Sequence, residues 1–203
     1  MPRTLITTLA AAMVLLVAPA AAISDPVAES VVVEAPAEPD VTNHEAIVSS
    51  YLERFFNNVD PRKLTEAKKL VPAVIEAALQ EGLDPLLVAV VVSCESSWKT
   101  DATGGIGEVG LMQVHGEATR GFDVKTISGN LAAGTRWLAT RIEKHGSVER
   151  GLKAYIGGGP RGARAAAWRL KVYRAELRRQ GLTEAPVASD EVTLAAVAPL
   201  AAN

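Results

Sequence analysis

Cys94-Glu95-Ser96-Ser97-Trp98 places one carboxylate at the end of a strongly apolar run, Leu86 to Val92, with a glycine-rich stretch behind it. Apolar surroundings disfavour the charged form of a carboxyl group and raise its pKa. A glutamate with a raised pKa holds a proton near neutral pH and can donate it as a general acid. The ordinary alternative is an acid at the solvated end of a core helix, because carboxylates are mostly exposed. Cys94, the only cysteine, offers a rival chemistry as a thiol nucleophile, with His115 downstream. Nothing in the sequence positions that His, so Cys94 reads as a small core residue. The three histidines are scattered without metal-ligand spacing, and neither a metal nor another cofactor is expected.

The elements that must position Glu95 read as successive helices. Ile47, Tyr51 and Phe55 recur at helical spacing and predict a first helix over 44–56. Leu64, Ala67, Val71, Val74, Ile75 and Ala78 form a cleaner stripe that Gly82 ends. Asp84-Pro85 then opens the helix that carries Glu95, with Asp as N-cap and Pro in the first turn. Its Val-rich run has strand propensity, but the start signal favours a buried helix. Residues 102–110 hold four glycines and little periodicity, so they read as a loop or a small irregular sheet. Helices follow over 130–144, stopped by Gly146, and from a Ser147 cap to the Gly157-Gly158-Gly159-Pro160 break. The last helix, over 162–180, turns Ala166, Leu170, Tyr173 and Leu177 toward the core.

Glu95-Ser96-Ser97, a glycine-rich loop, Gly110-Leu111-Met112-Gln113, Asn130 with Gly134 and Leu138, then Ala154-Tyr155 before glycines occur in that order. The series resembles the lytic transglycosylase domain of the superfamily that includes goose-type lysozyme, over about 83–162. The resemblance implies a mainly α, lysozyme-like fold with a groove for glycan strands and a short irregular or β loop region after the catalytic helix. It implies that Glu95 is the sole acid/base for the bond between N-acetylmuramic acid and N-acetylglucosamine, leaving 1,6-anhydro ends. Gln113 and Met112 correspond to groove-lining positions, and Tyr155 to the tyrosine near the acid; core filling is the competing reading for Met112 and Tyr155. Gly110 and Gly134 suit close backbone or helix packing. Two departures stand out. Ile156 follows the tyrosine where many relatives have Asn, and Gly104 stands where many place a Ser against the acid, leaving Thr103 to take that role.

A glycosidase with two carboxylates needs the second near the scissile bond. Asp101, Glu108 and Glu117 are the candidates, and all three read as solvated loop charges. A muramidase that uses water with Asp101 or Glu108 is therefore the weaker enzymatic alternative. A catalytically weak glycan-binding module of a cell-envelope assembly is the alternative of another class. Trp98 and Trp137 suit either sugar stacking or buried packing.

Around this core, residues 1–22 read as a signal peptide: Arg3, an apolar run over 5–17, and the small residues Ala20-Ala21-Ala22. A retained anchor is the alternative, and cleavage is favoured. No Cys follows the apolar run, so no lipid is expected there. Residues 23–43 read as an acidic Ala/Pro-rich linker, 44–182 as the domain and 183–203 as a disordered Ala-rich tail. Export to the periplasm or cell wall follows, and with one Cys the fold must rest on packing rather than disulfides. The formal net charge of -2 gives no global field for nucleic acid. Arg161, Arg164, Arg169, Lys171, Arg174, Arg178 and Arg179 crowd the last helix, as a solvated face or a contact for an anionic cell-wall or membrane surface. A monomer acting on peptidoglycan strands is the expected form.

Overall fold

The computed structural model describes residues 41–57, 59–157 and 159–184; the leader at 1–22, the linker up to 40 and the tail from 185 lie outside them. The described residues form six α-helices: α1 (Val41–Phe55), α2 (Pro61–Gln80), α3 (Pro85–Ser96), α4 (Ile127–His145), α5 (Val148–Ile156) and α6 (Gly159–Arg179). A short 3-10 turn spans Gly116–Thr119. Among the described residues the fold is thus mainly α, as expected. The first helix starts at Val41, three residues before the predicted start at 44, and the last begins at Gly159, within the glycine break.

Each start and stop has a local cause. Asp60 and Asp84 each accept a backbone N–H two residues on, from Arg62 at 3.0 Å and Leu86 at 2.8 Å, with Pro61 and Pro85 opening α2 and α3. The chain reverses after α4 through Gly146, whose φ of 67° belongs to the left-handed region glycine tolerates. Ser147 caps α5 by accepting the Arg150 N–H.

Helix α3 is buried on every side, with residues 85–93 all in the core, and packs against α1, α2 and α6. That placement overrides the strand preference of its valines, because burial rather than propensity decides a helix with no solvated face. Helix α6 is tied to its N-terminal end through the Tyr173 hydroxyl, which donates to Asp84 Oδ2 at 2.6 Å. A second tie joins α6 to α1: Glu176, 1% exposed, pairs with Arg54 and takes a further bond from Gln180.

The basic residues of α6 divide. Arg174 pairs with Glu184, Arg179 with Glu176, and Arg169 turns inward. Arg161, Arg164, Lys171 and Arg178 stay exposed and share one helical stripe with Trp168, itself 58% exposed.

Candidate active site

Glu95 occupies the last turn of α3, and its side chain keeps only 17% exposure. Helix α3 ends immediately after it. Ser97 and Trp98 both take positive φ, 50° and 66°, a conformation that costs side-chain-bearing residues energy unless their surroundings hold it. Serine hydroxyls hold it here. Ser96 Oγ accepts the Trp98 N–H at 3.1 Å, and Ser93 Oγ accepts the Trp98 indole N–H at 2.7 Å. Trp98 is therefore buried packing (5% exposed), and the serines of the motif serve the sharp turn beside the acid.

Residues 102–114 form the irregular region expected after this helix. Val109 makes isolated antiparallel bridges to both Thr103 and Val114. Two motif pairs then interlock. Asn130 at the start of α4 accepts the Met112 N–H at 3.0 Å and donates to the Val109 carbonyl at 2.9 Å and the Val124 carbonyl at 3.3 Å. A Cβ on Gly110 would lie 2.3 Å from the Asn130 amide, and one on Gly134 would lie 2.5 Å from Met112 Cβ. Both glycines permit a close approach between loop and helix, as their positions suggested.

Glu95, Glu108, Gln113, His115, Glu117, Trp137, Arg141, Tyr155 and Ile156 line an open cleft of about 330 Å3 with neighbouring residues. Gln113, held at φ 46°, donates through Nε2 to the carbonyls of Ala102 and Gly110. Tyr155 donates its hydroxyl to the Met112 carbonyl at 2.7 Å rather than to the Glu95 carboxyl group. Burial, then the negative charge of Glu95, pushes the Tyr155 hydroxyl pKa up.

Two expected positions stand elsewhere. Met112 is fully buried against Gly134 and lines no part of the cleft; its side chain fills the core while its backbone serves the site. Thr103 is exposed on the outer edge of its bridge and makes no hydrogen bond to Glu95. The position of the expected Ser explains why. A Cβ on Gly104 would lie 2.4 Å from Glu108 Oε2, so the glycine leaves its space to the Glu108 carboxylate.

The partner of Glu95 is Arg169, which donates from Nη2 to Glu95 Oε1 at 2.9 Å and is itself 9% exposed. Its position marks it in retrospect: three residues after Ala166 and four before Tyr173, it shares their inward phase. Burial raises the Glu95 pKa, Arg169 opposes it by charge and hydrogen bond, and Glu108 adds a smaller upward push; the net direction is up. Glu108 goes the other way, because its carboxylate accepts the Ile106 N–H at 2.9 Å. Burial also raises the Cys94 thiol pKa, which suits the inert reading of that residue. Of the remaining loop acids, Glu117 lines the cleft and Asp101 does not. Among the described residues no cluster of His, Cys, Asp and Glu could hold a metal ion.

A helical fold that raises one largely buried carboxyl group into an open, polar cleft defines a lysozyme-like domain. Residues 72–172 match the family described as Transglycosylase SLT domain, and the chain carries a domain of that family. A curated relative, "Transglycosylase" of Enterobacteria phage PRD1, is 36% identical over 85 residues, which is 40% of this chain and 32% of that protein. The matched part thus spans about a third of the relative's length.

Proposed function

We propose that this domain cleaves peptidoglycan as a lytic transglycosylase, with Glu95 as its single acid/base, acting in the periplasm or cell wall. The observation that carries the reading is a carboxyl group whose pKa burial raises, facing a cleft, within an SLT domain. Protonated Glu95 donates to the oxygen joining muramoyl C1 to the next N-acetylglucosamine. The C1–O bond breaks and the sugar leaves with a new hydroxyl. The Glu95 carboxylate then takes the proton of the muramoyl C6 hydroxyl, and that oxygen closes on C1. No water is consumed, and Glu95 ends protonated again. Burial favours its protonated start, and Arg169 stabilises the carboxylate that exists between the two transfers. Gln113 and Tyr155 shape the wall beside it.

Glu108 supports a second reading. It lines the same cleft, and its surroundings lower its pKa while those of Glu95 raise theirs, the division that separates base from acid in two-carboxylate hydrolases. Digestion of purified peptidoglycan with mass analysis of the products separates the two. Anhydromuramic ends are expected; reducing ends would transfer the role of base to Glu108 and a water.

Arg169 gives a prediction with a definite sign. Its charge lowers the Glu95 pKa, so Arg169→Met, which keeps the apolar stem, lets Glu95 stay protonated to higher pH. The alkaline limb of muropeptide release is expected to move to higher pH. A limb that stays in place, or moves down, would sink the assignment of that limb to Glu95.

A further inference from the structure

The cleft contains a cation, Arg141, that no described residue pairs with. Arg141 lies on α4 one turn beyond Trp137, and its guanidinium carbon sits 3.7 Å from the indole centroid. The ring holds the guanidinium through its carbon, and no described residue takes its N–H groups. Among the described residues Arg141 has no ion pair and no hydrogen bond, and its Nε is buried without a partner. Glu95, Glu108 and Glu117 line the same cleft, yet none of them pairs with it. Arg169, whose Nε is likewise buried without a partner, has the Glu95 carboxylate at its Nη2; among the described residues Arg141 has no carboxylate. A buried donor without an acceptor is a cost that a ligand can remove.

We propose that Arg141, held over Trp137, binds a carboxylate of the peptide stem carried by N-acetylmuramic acid, and so selects glycan strands that bear stems. This rests on the peptidoglycan reading above and names which part of that substrate the cleft reads. The glycan backbone itself is uncharged; its anionic groups lie on the stems. A guanidinium fork matches a carboxylate with two parallel N–H bonds, which an ammonium or an amide cannot reproduce. The helical stripe Asn130, Gly134, Trp137, Arg141 runs from the loop beside the acid to this fork, about 10 Å beyond Gly134 at the rise of an α-helix. One face of α4 therefore serves both the reacting centre and a point some way along the strand.

The test compares purified sacculi with strands stripped of stem charge: cutting the muramoyl–alanine bond would free a lactyl carboxylate, so the stem carboxylates are instead converted to amides with a carbodiimide and ammonia. Arg141→Gln is expected to lose about tenfold or more in kcat/KM on untreated sacculi, through KM, and to change less than about twofold on the charge-stripped strands. Arg141→Lys keeps the charge without the fork and should fall between. In a Glu95→Gln background, where cleavage is blocked, co-sedimentation reads binding directly: Arg141→Gln should weaken retention by sacculi alone. Equal losses on both substrates, or none on either, would overturn the assignment, with unchanged melting temperature excluding a folding defect. If wild-type protein cuts and binds neither substrate, the peptidoglycan reading falls, and this assignment falls with it.

Discussion

Glu95→Gln is expected to lower the release of soluble muropeptides from sacculi by about 10³-fold or more, because one group supplies both proton transfers and each is worth about 10²–10⁴-fold. The substitution keeps the shape of the side chain. Its amide oxygen can still accept from Arg169 Nη2, so the guanidinium, 9% exposed, is not left without an acceptor. Helical content should be unchanged by circular dichroism. Glu95→Asp makes the sharper comparison: it keeps the acid but withdraws it by one methylene. A displacement of about 1 Å at the reacting centre can cost about 10²-fold. Full activity in Glu95→Gln would end the single-acid reading. A loss in Glu108→Gln as deep as in Glu95→Gln would replace it with the hydrolytic one.

Asn130→Ala is expected to be the most damaging single change outside the acid. It leaves the Met112 N–H without its partner, takes from the Val109 carbonyl one of its two donors (the Val114 N–H at 3.1 Å stays), and removes a longer bond to Val124. A buried donor left unsatisfied costs about 1–3 kcal/mol and each other lost bond about 0.5–1.5 kcal/mol, so a loss of about 2–4 kcal/mol follows, with the melting temperature down by about 5–15 °C. Activity should fall further than stability. Asn130 holds the segment that carries Gln113 and the Met112 carbonyl on which Tyr155 rests. A variant that melts within about 2 °C of wild type, measured by calorimetry, would show that α4 and the loop are held together by other contacts.

Much of this frame was legible in the residues. The Asp84-Pro85 start, the Gly146 stop and the stripe from Ala67 to Ala78 depend on near neighbours, and the structure has all three where local rules put them. Glu95 stood out because its apolar approach and its turn are also local. What the sequence withheld depends on distant packing. Met112 looked like a groove residue, but which way it turns is decided by Gly134, which lies on α4, beyond its own loop. Arg169 was one of seven cations on a basic helix, and only the crossing of α6 over α3 sends it to Glu95 while Arg161 and Arg164 stay in water. Thr103 stood next to the unexpected Gly104, yet the space there belongs to Glu108, four residues further on.

The burial of α3 bears on how such a domain can change over generations. The acid belongs to a helix with no spare face, where nearly every substitution disturbs packing on three neighbours. Glu108, Glu117, Arg141 and Ile156 stand on other elements, at the rim, and none of them is a core residue. Mutations at those positions can redraw which strands are accepted while the hydrophobic interior stays intact. The fold thus keeps its reaction under strict inheritance and leaves its taste for substrate open to drift.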